Sequence, residues 1–170
     1  MIDIFTDGST TNNCRLSKKA RGGVGVYFPS GNYKDVSEPF YIFPITNQRC
    51  ELFACIRAIQ EIVKKLKKKK IKVQIVTDSM YLINSMTKWV HMWIKRGWKK
   101  ANGAEPLNMD LIYWLYRLTE QHKDKLEIVY THVKAHQNEP KNKKSKDYYL
   151  WDGNNKADIL SKNGRKINCS

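Results

Sequence analysis

Four acids, Asp7, Glu51, Asp78 and Asp158, stand where carboxylate chemistry and ordinary structural roles are both open readings. Asp7 lies in "IFTDGS", after apolar Ile2 and Ile4, where the run stops at Thr6, Asp7 and Gly8. A lone Asp-Gly is first of all a turn signal, because Asp bonds its own backbone and Gly accepts positive φ. The pattern recurs in "IKVQIVTDS", an alternating stretch that again ends in Thr-Asp, at Thr77 and Asp78. If the two strands are sheet neighbours, both acids reach the same edge, the carboxyl end that ligand sites of open α/β sheets favour. Glu51 falls in the first turn of a helical pattern, and Asp158 stands beside apolar Ala157, Ile159 and Leu160. Taken singly, Asp78 reads as a helix N-cap, Glu51 as a complement to a helix dipole and Asp158 as a solvent-facing residue. Gathered together, the four would repel one another and resist desolvation. Divalent cations remove that cost: Mg²⁺, or Mn²⁺ in its place, takes carboxylate oxygens and keeps several waters. Two such ions roughly 4 Å apart can activate a water and stabilise the leaving oxygen of a phosphodiester. Spacing by itself leaves both readings open.

The elements that must position these acids are legible from periodicity. Residues 1–6, "GGVGVYF" from Gly22, and roughly Tyr33 to Phe43 read as strands, the last two joined by turn-forming "PSGN". They predict an antiparallel meander. The polar, basic "TTNNCRLSKKAR" between the first two is long enough to be functional. From Asn47 the period changes, with Leu52, Cys55, Ile59, Ile62, Val63 and Leu66 at helical spacing, which predicts an amphipathic helix of about five turns. It runs into "KKLKKKK", read as a solvated helix end whose cations suit the dipole. A strand through Thr77, a short helix from about Ser79 into "KWVHMWIKRGWKKANG" that ends at Gly97, and a helix from about Asn108 come next. "KLEIVYTHVKAH" is a fifth strand, and after a Lys-rich insertion "GNNKADILSKNG" reads as a short final helix. The order predicts an α/β domain, a five-stranded mixed sheet flanked by helices.

Composition narrows the partner. At 170 residues the chain suits one domain with a sizeable core. Lys and Arg outnumber Asp and Glu 31 to 16, for a formal charge of +15, so a polyanion is expected, nucleic acid or an anionic membrane surface. No segment reaches the roughly 18 apolar residues of a membrane span, and the chain opens on a strand rather than a signal peptide. An intracellular protein of cytoplasm or nucleus is expected, with no membrane partner. Cys14, Cys50, Cys55 and Cys169 show no CxxC spacing and read as reduced thiols.

"IFTDGS" with Asp7, "TNQRCEL" with Glu51, "TDSMYLI" with Asp78, and "HVKAH" followed by "GNNKAD" with Asp158 together resemble the type I ribonuclease H family, in order and at compatible spacing. The resemblance runs from Ile2 to about Lys166 and takes in the basic "WVHMWIKRGWK". It implies the ribonuclease H-like fold, with three antiparallel strands followed by two parallel ones. It also implies endonucleolytic hydrolysis of the RNA strand of an RNA/DNA hybrid with two Mg²⁺ ions, leaving 5′-phosphate and 3′-hydroxyl ends. Asp7, Glu51, Asp78 and Asp158 match the family's metal-binding catalytic acids, and His136 matches a histidine in a mobile loop that helps product or metal depart. Asn13, Asn47 and Gln48 match positions that contact the hybrid, where amides can read the 2′-hydroxyl that distinguishes RNA from DNA. Thr46 resembles the DNA-phosphate pocket, which Asn108 completes. Trp89, among Lys88, Lys95 and Arg96, belongs by the same resemblance to a channel for the DNA strand, while Trp93 is assigned to packing and His132 to a structural role.

Some features depart from the family pattern. Pro44 stands two residues before Thr46, where some relatives have Arg. The stretch between His136 and Asp158 is about twice the family's usual loop length, which makes Asp152 a rival to Asp158 as fourth ligand. Lys141, Lys143, Lys144 and Lys146 in that insertion could add phosphate contacts or simply be solvated. The loop after Asp7 has a eukaryotic-type length, and no separate hybrid-binding domain is expected in this single domain, read as a monomer. Two other classes compete: a nuclease or polynucleotidyl transferase acting on DNA, and a catalytically silent nucleic-acid-binding module. The second would be marked by loss of one carboxylate, and all four are present.

Overall fold

The computed structural model describes residues 1–11 and 19–167. Its sheet contains β1 (Ile2–Thr10), β2 (Gly22–Tyr27), β3 (Val36–Phe40), β4 (Ile71–Thr77) and β5 (Leu126–His132), in the order β3-β2-β1-β4-β5. β1, β2 and β3 pair antiparallel, while β4 runs parallel to β1 and β5 parallel to β4. The five-stranded mixed sheet is therefore as expected. β3 is shorter than its apolar pattern, ending before the cis Phe43–Pro44 bond, and it carries Pro39, which an edge strand tolerates.

Alternation along the strands divides the core in two. Ile4, Val24, Val26, Val73 and Ile75 face α1 (Asn47–Val63), which lies on one side with α4 (Met109–Gln121) packed against it. Phe5 and Val76 point to the other side, where they meet Ala157 of α5 (Lys146–Lys166). Successive side chains of a strand point to opposite faces, so both α1 and α5 are needed to cover this sheet.

Two expectations are corrected. β1 does not stop at residue 6: it continues to Thr10, and Asp7 pairs with Gly25 in mid-strand rather than opening a turn. The reason lies in Gly8. A Cβ there would stand 2.4 Å from the backbone of both Cys50 and Glu51, so the glycine serves close approach of α1 rather than a turn. The final helix is not short either, since 21 residues from Lys146 are helical and the second half of the insertion is its first turns. Ser145 caps it by accepting from the Tyr148 amide at 3.1 Å. Gly153 and the polar run around it hide the helical period, while packing on the sheet supplies the stability that propensity does not.

After β4, α2 (Met80–Asn84), a π-helical turn (Ser85–Trp89) and α3 (Val90–Lys95) follow one another without a break. The run ends as expected at Gly97, whose φ of 61° allows Gly97 N–H to reach Ile94 O and Trp98 N–H to reach Trp93 O.

Candidate active site

The acids arrive from four elements. β1 and β4 pair in parallel as far as Phe5 and Val76, and Asp7 and Asp78 each stand two residues further on, at the same edge. Glu51 is carried in by α1 where it crosses Gly8. Asp158 is carried in by α5 because Gly25, the partner of Asp7, lacks a side chain: a Cβ there would lie 2.2 Å from the Ala157 carbonyl oxygen. Backbone contact at two glycines thus fixes how closely both helices press their acids toward Asp7.

Each carboxylate rests on its own donor. The Ser161 hydroxyl donates to Asp7 at 2.7 Å, and the Ser79 hydroxyl, which also caps α2, donates to Glu51. The Asn154 side chain hydrogen-bonds Asp78, and Lys162 lies 2.6 Å from Asp158. Asp7 is only 7% exposed, and burial pushes its carboxyl up to about 7 against the pull of Ser161, with Asp78, Asp158 and Glu51 adding repulsion. Burial also raises Glu51 to about 7, against its Ser79 hydrogen bond and reinforced by Asp78. Asp78 is raised by burial too, opposed by Asn154 and by the imidazoles of His136 and His132, with Asp158 adding repulsion.

Among the described residues, no group of three or more His, Cys, Asp or Glu side chains is placed so that it could hold a metal ion as it stands. The donor set nevertheless fits a hard divalent cation. All four groups offer oxygen, and the burial of Asp7 among like charges is what a cation would relieve.

A cavity of about 360 Å³ opens at this edge, lined by Asp78, Asp158, His132, His136, Asn154 and Trp151 among others. His136 sits on its rim with φ 52°, an uncommon conformation for a residue other than glycine. The next residue is tethered, because the Trp151 indole N–H donates to the Gln137 carbonyl at 3.0 Å. Asp152, the rival to Asp158, does not line the cavity and is paired with Lys156 at 2.7 Å.

Of the remaining expected residues, Thr46 caps α1 by accepting from the Arg49 amide at 3.3 Å, Asn47 is half-buried and Gln48 is exposed. Asn108 is buried and joined to that corner through Arg49, whose guanidinium reaches Asn108 at 3.4 Å and grips both oxygens of Asp110 at 2.7 and 2.6 Å. Asn108 in turn donates to the Tyr81 hydroxyl at 3.0 Å. Trp89 is half-buried against Tyr81 and Trp93, and Trp93 is buried, in line with its packing assignment. Asn13 lies outside the described residues.

Sequence reasoning missed Ser79, Asn154 and Ser161, which hold the acids, and the Arg49–Asp110 pair. A signal for two of them was present. Asn154 and Ser161 stand four residues before and three after Asp158, on the same helix face.

The family model for RNase H matches residues 1–166. The chain is 36% identical over 147 residues to a ribonuclease H of Psychromonas ingrahamii, covering 86% of each. It is 34% identical over 168 residues to ribonuclease H1 of Homo sapiens, covering 97% of this chain and 50% of that one, so it spans about half the length of the human relative. Among solved structures it superposes with a TM-score of 0.68 and 25% identity on LC9-RNase H1, described as a type 1 RNase H with the type 2 active-site motif. That match covers 97% of this chain and 72% of the other.

Proposed function

The chain belongs to the ribonuclease H family, and on that footing we propose that it cleaves the RNA strand of RNA/DNA hybrids endonucleolytically, leaving 5′-phosphate and 3′-hydroxyl ends. The observation that carries this reading is the convergence of Asp7, Glu51, Asp78 and Asp158 from β1, α1, the end of β4 and α5. A fold gains no stability by burying like charges together, so their meeting calls for a cationic partner. The four acids are assigned as holders of two Mg²⁺ ions, with Mn²⁺ as a substitute. Held by these four acids, such ions would supply acidification of the attacking water and stabilisation of charge on the leaving 3′ oxygen.

The chain's own residues orient the substrate. Asn47 and Gln48 at the start of α1, with Asn13, offer amides that can both donate to and accept from a 2′-hydroxyl. Thr46 and Asn108 take a phosphate of the DNA strand. Arg49 keeps that corner rigid even though Pro44 replaces the arginine of some relatives. Trp89 packs on a deoxyribose, beside Lys88. His136, on the cavity rim, stands where the new 5′-phosphate leaves and offers it a hydrogen-bonding ring nitrogen. Residues 1–170 act as one catalytic domain, as a monomer.

The test is cleavage of end-labelled hybrid, duplex DNA and duplex RNA, with Mg²⁺ and with chelator. Hybrid alone should be cut, only with the metal, and folded Asp78→Asn should be nearly inactive. Cutting of duplex DNA but not hybrid would replace this reading with a DNA-acting nuclease. Binding without cutting would replace it with a silent binding module.

A further inference from the structure

α1 connects two ends of the molecule that differ in charge. Its first turns carry Glu51 to the acids, and about 18 Å of helix later, at 1.5 Å per residue, Val63 delivers the chain to the opposite end of the sheet. There β4 begins at Ile71, and residues 64–72 contain seven lysines and no acid. Lys67, Lys68, Lys69 and Lys70 are all exposed, in irregular backbone beyond the helix. Neighbouring cations are occupied: Lys64 pairs with Glu61, Lys72 with Glu127 and Lys123 with Glu120. Lys65 donates to the Asn32 carbonyl at 2.6 Å and lies over the Tyr33 ring. Among the described residues Lys67 to Lys70 form no ion pair.

Inside the fold only Glu127, which already pairs with Lys72, feels one of those four charges, that of Lys70. A helix dipole acts only over its last turn, and Lys67 is four residues past Val63. Consecutive Cα atoms are about 3.8 Å apart, so four adjacent exposed lysines concentrate their charge in one short stretch and create one combined positive field. Such a field suits an extended polyanion. The substrate proposed above is one, but a stiff duplex lying across the acids cannot turn back around the body of the protein, because DNA bends only over about 150 base pairs. A flexible single strand can.

We propose that the lysine pole formed by Lys67, Lys68, Lys69 and Lys70 is a second nucleic-acid docking surface, which takes a single-stranded tail of the substrate engaged at the acids. This inference rests on the hybrid-cleaving reading. The pole reads phosphate charge and no sequence. It raises the local concentration of tailed hybrids at the acids, since a second attachment makes the first effectively intramolecular.

The experiment compares the parent with the quadruple variant Lys67→Gln, Lys68→Gln, Lys69→Gln, Lys70→Gln, none of which belongs to the catalytic or binding set above. Three substrates share one short hybrid of about 12 base pairs: blunt, extended by a single-stranded DNA tail of about 30 nucleotides, and extended by duplex DNA of that length. For the parent, the single-stranded tail should lower KM by roughly threefold or more, and the duplex extension should not. In the variant the tail advantage should vanish, while kcat and the KM for blunt hybrid stay within about twofold. Fluorescence anisotropy on the tail strand alone should show weaker binding, with a salt slope shallower by up to about 3, at roughly 0.7 per phosphate on a single strand. Retention of the tail advantage by the variant, equal loss on all three substrates, or unchanged binding of the tail strand would each overturn the proposal. If the parent fails to cut any hybrid, the catalytic reading falls, and the anisotropy arm still decides whether the pole binds single strands.

Discussion

Asp7→Asn removes one charge from the most buried of the four acids and keeps its shape, its place in β1 and an oxygen for the Ser161 hydroxyl. Burial, reinforced by three neighbouring carboxylates, pushes Asp7 from its ordinary 3.8 up to about 7. The folded protein therefore holds a proton that the unfolded chain has already released. The stability this confers is complete below about pH 3.8 and is lost as pH rises through about 7. At 1.36 kcal/mol per unit, ionising Asp7 inside the fold costs about 4 kcal/mol by pH 8. At 7% exposure, solvent takes little off that figure. Asn is neutral throughout, so in chelator the variant should match the parent near pH 4. At pH 8 it should be more stable by roughly 10 °C in Tm, for a chain of this size. Thermal melts followed by circular dichroism, at both pH values, measure this directly. Mg²⁺ at pH 8 should then raise the Tm of the parent more than that of the variant, because the ion binds the folded acids. A constant Tm difference at the two pH values, or a less stable variant at pH 8, would refute the reasoning.

Three further outcomes follow from the same geometry. Asp158→Asn should lower kcat on hybrid at least 100-fold, about 2.7 kcal/mol of transition-state stabilisation, whereas Asp152→Asn, which only breaks a pair with Lys156, should leave kcat within about twofold. Steady-state kinetics of the two variants decides the fourth ligand. Gly25→Ala places a methyl group 2.2 Å from the Ala157 carbonyl oxygen, so α5 must move. Denaturant titration should show a loss of about 1–3 kcal/mol, and hybrid cleavage should fall because Asp158 moves with the helix. Arg49→Met breaks the two-pronged grip on Asp110. Asp110 is 54% exposed and stays hydrated, so urea titration should show a loss of about 2 kcal/mol rather than the larger cost of stranding a buried charge.

The insertion between His136 and Asp158 does more than lengthen a loop. Its helical half adds turns to the start of α5, and Trp151 from those turns holds the Gln137 carbonyl beside His136. The wall of the cavity is thus built partly from residues whose polar, lysine-rich sequence reads as a solvated connection.

What the sequence determined by itself was the order of the elements, the type of most of them and the four acids that stand as candidates. Alternation in β1, β2, β4 and β5 and the helical stripe of α1 are local properties, set by which side chains must leave water. The two Thr-Asp strand ends and the ordered motifs were enough to name Asp7, Glu51, Asp78 and Asp158. What only the tertiary structure decided was everything that depends on two segments touching. Asp-Gly at 7–8 reads locally as a turn, and became mid-strand because α1 needs the space that Gly8 leaves. The face that α5 turns to Gly25, a contact between residues more than 130 positions apart, puts Asp158 on the cavity and leaves Asp152 off it, paired with Lys156. Ser79, Asn154 and Ser161 became partners of the acids only when β1, β4, α1 and α5 met at one edge. Local sequence sets what each segment prefers, while Asp7, Glu51 and Asp78 acquire their burial, their repulsion and their raised pKa values only from neighbours that the chain brings in from far away.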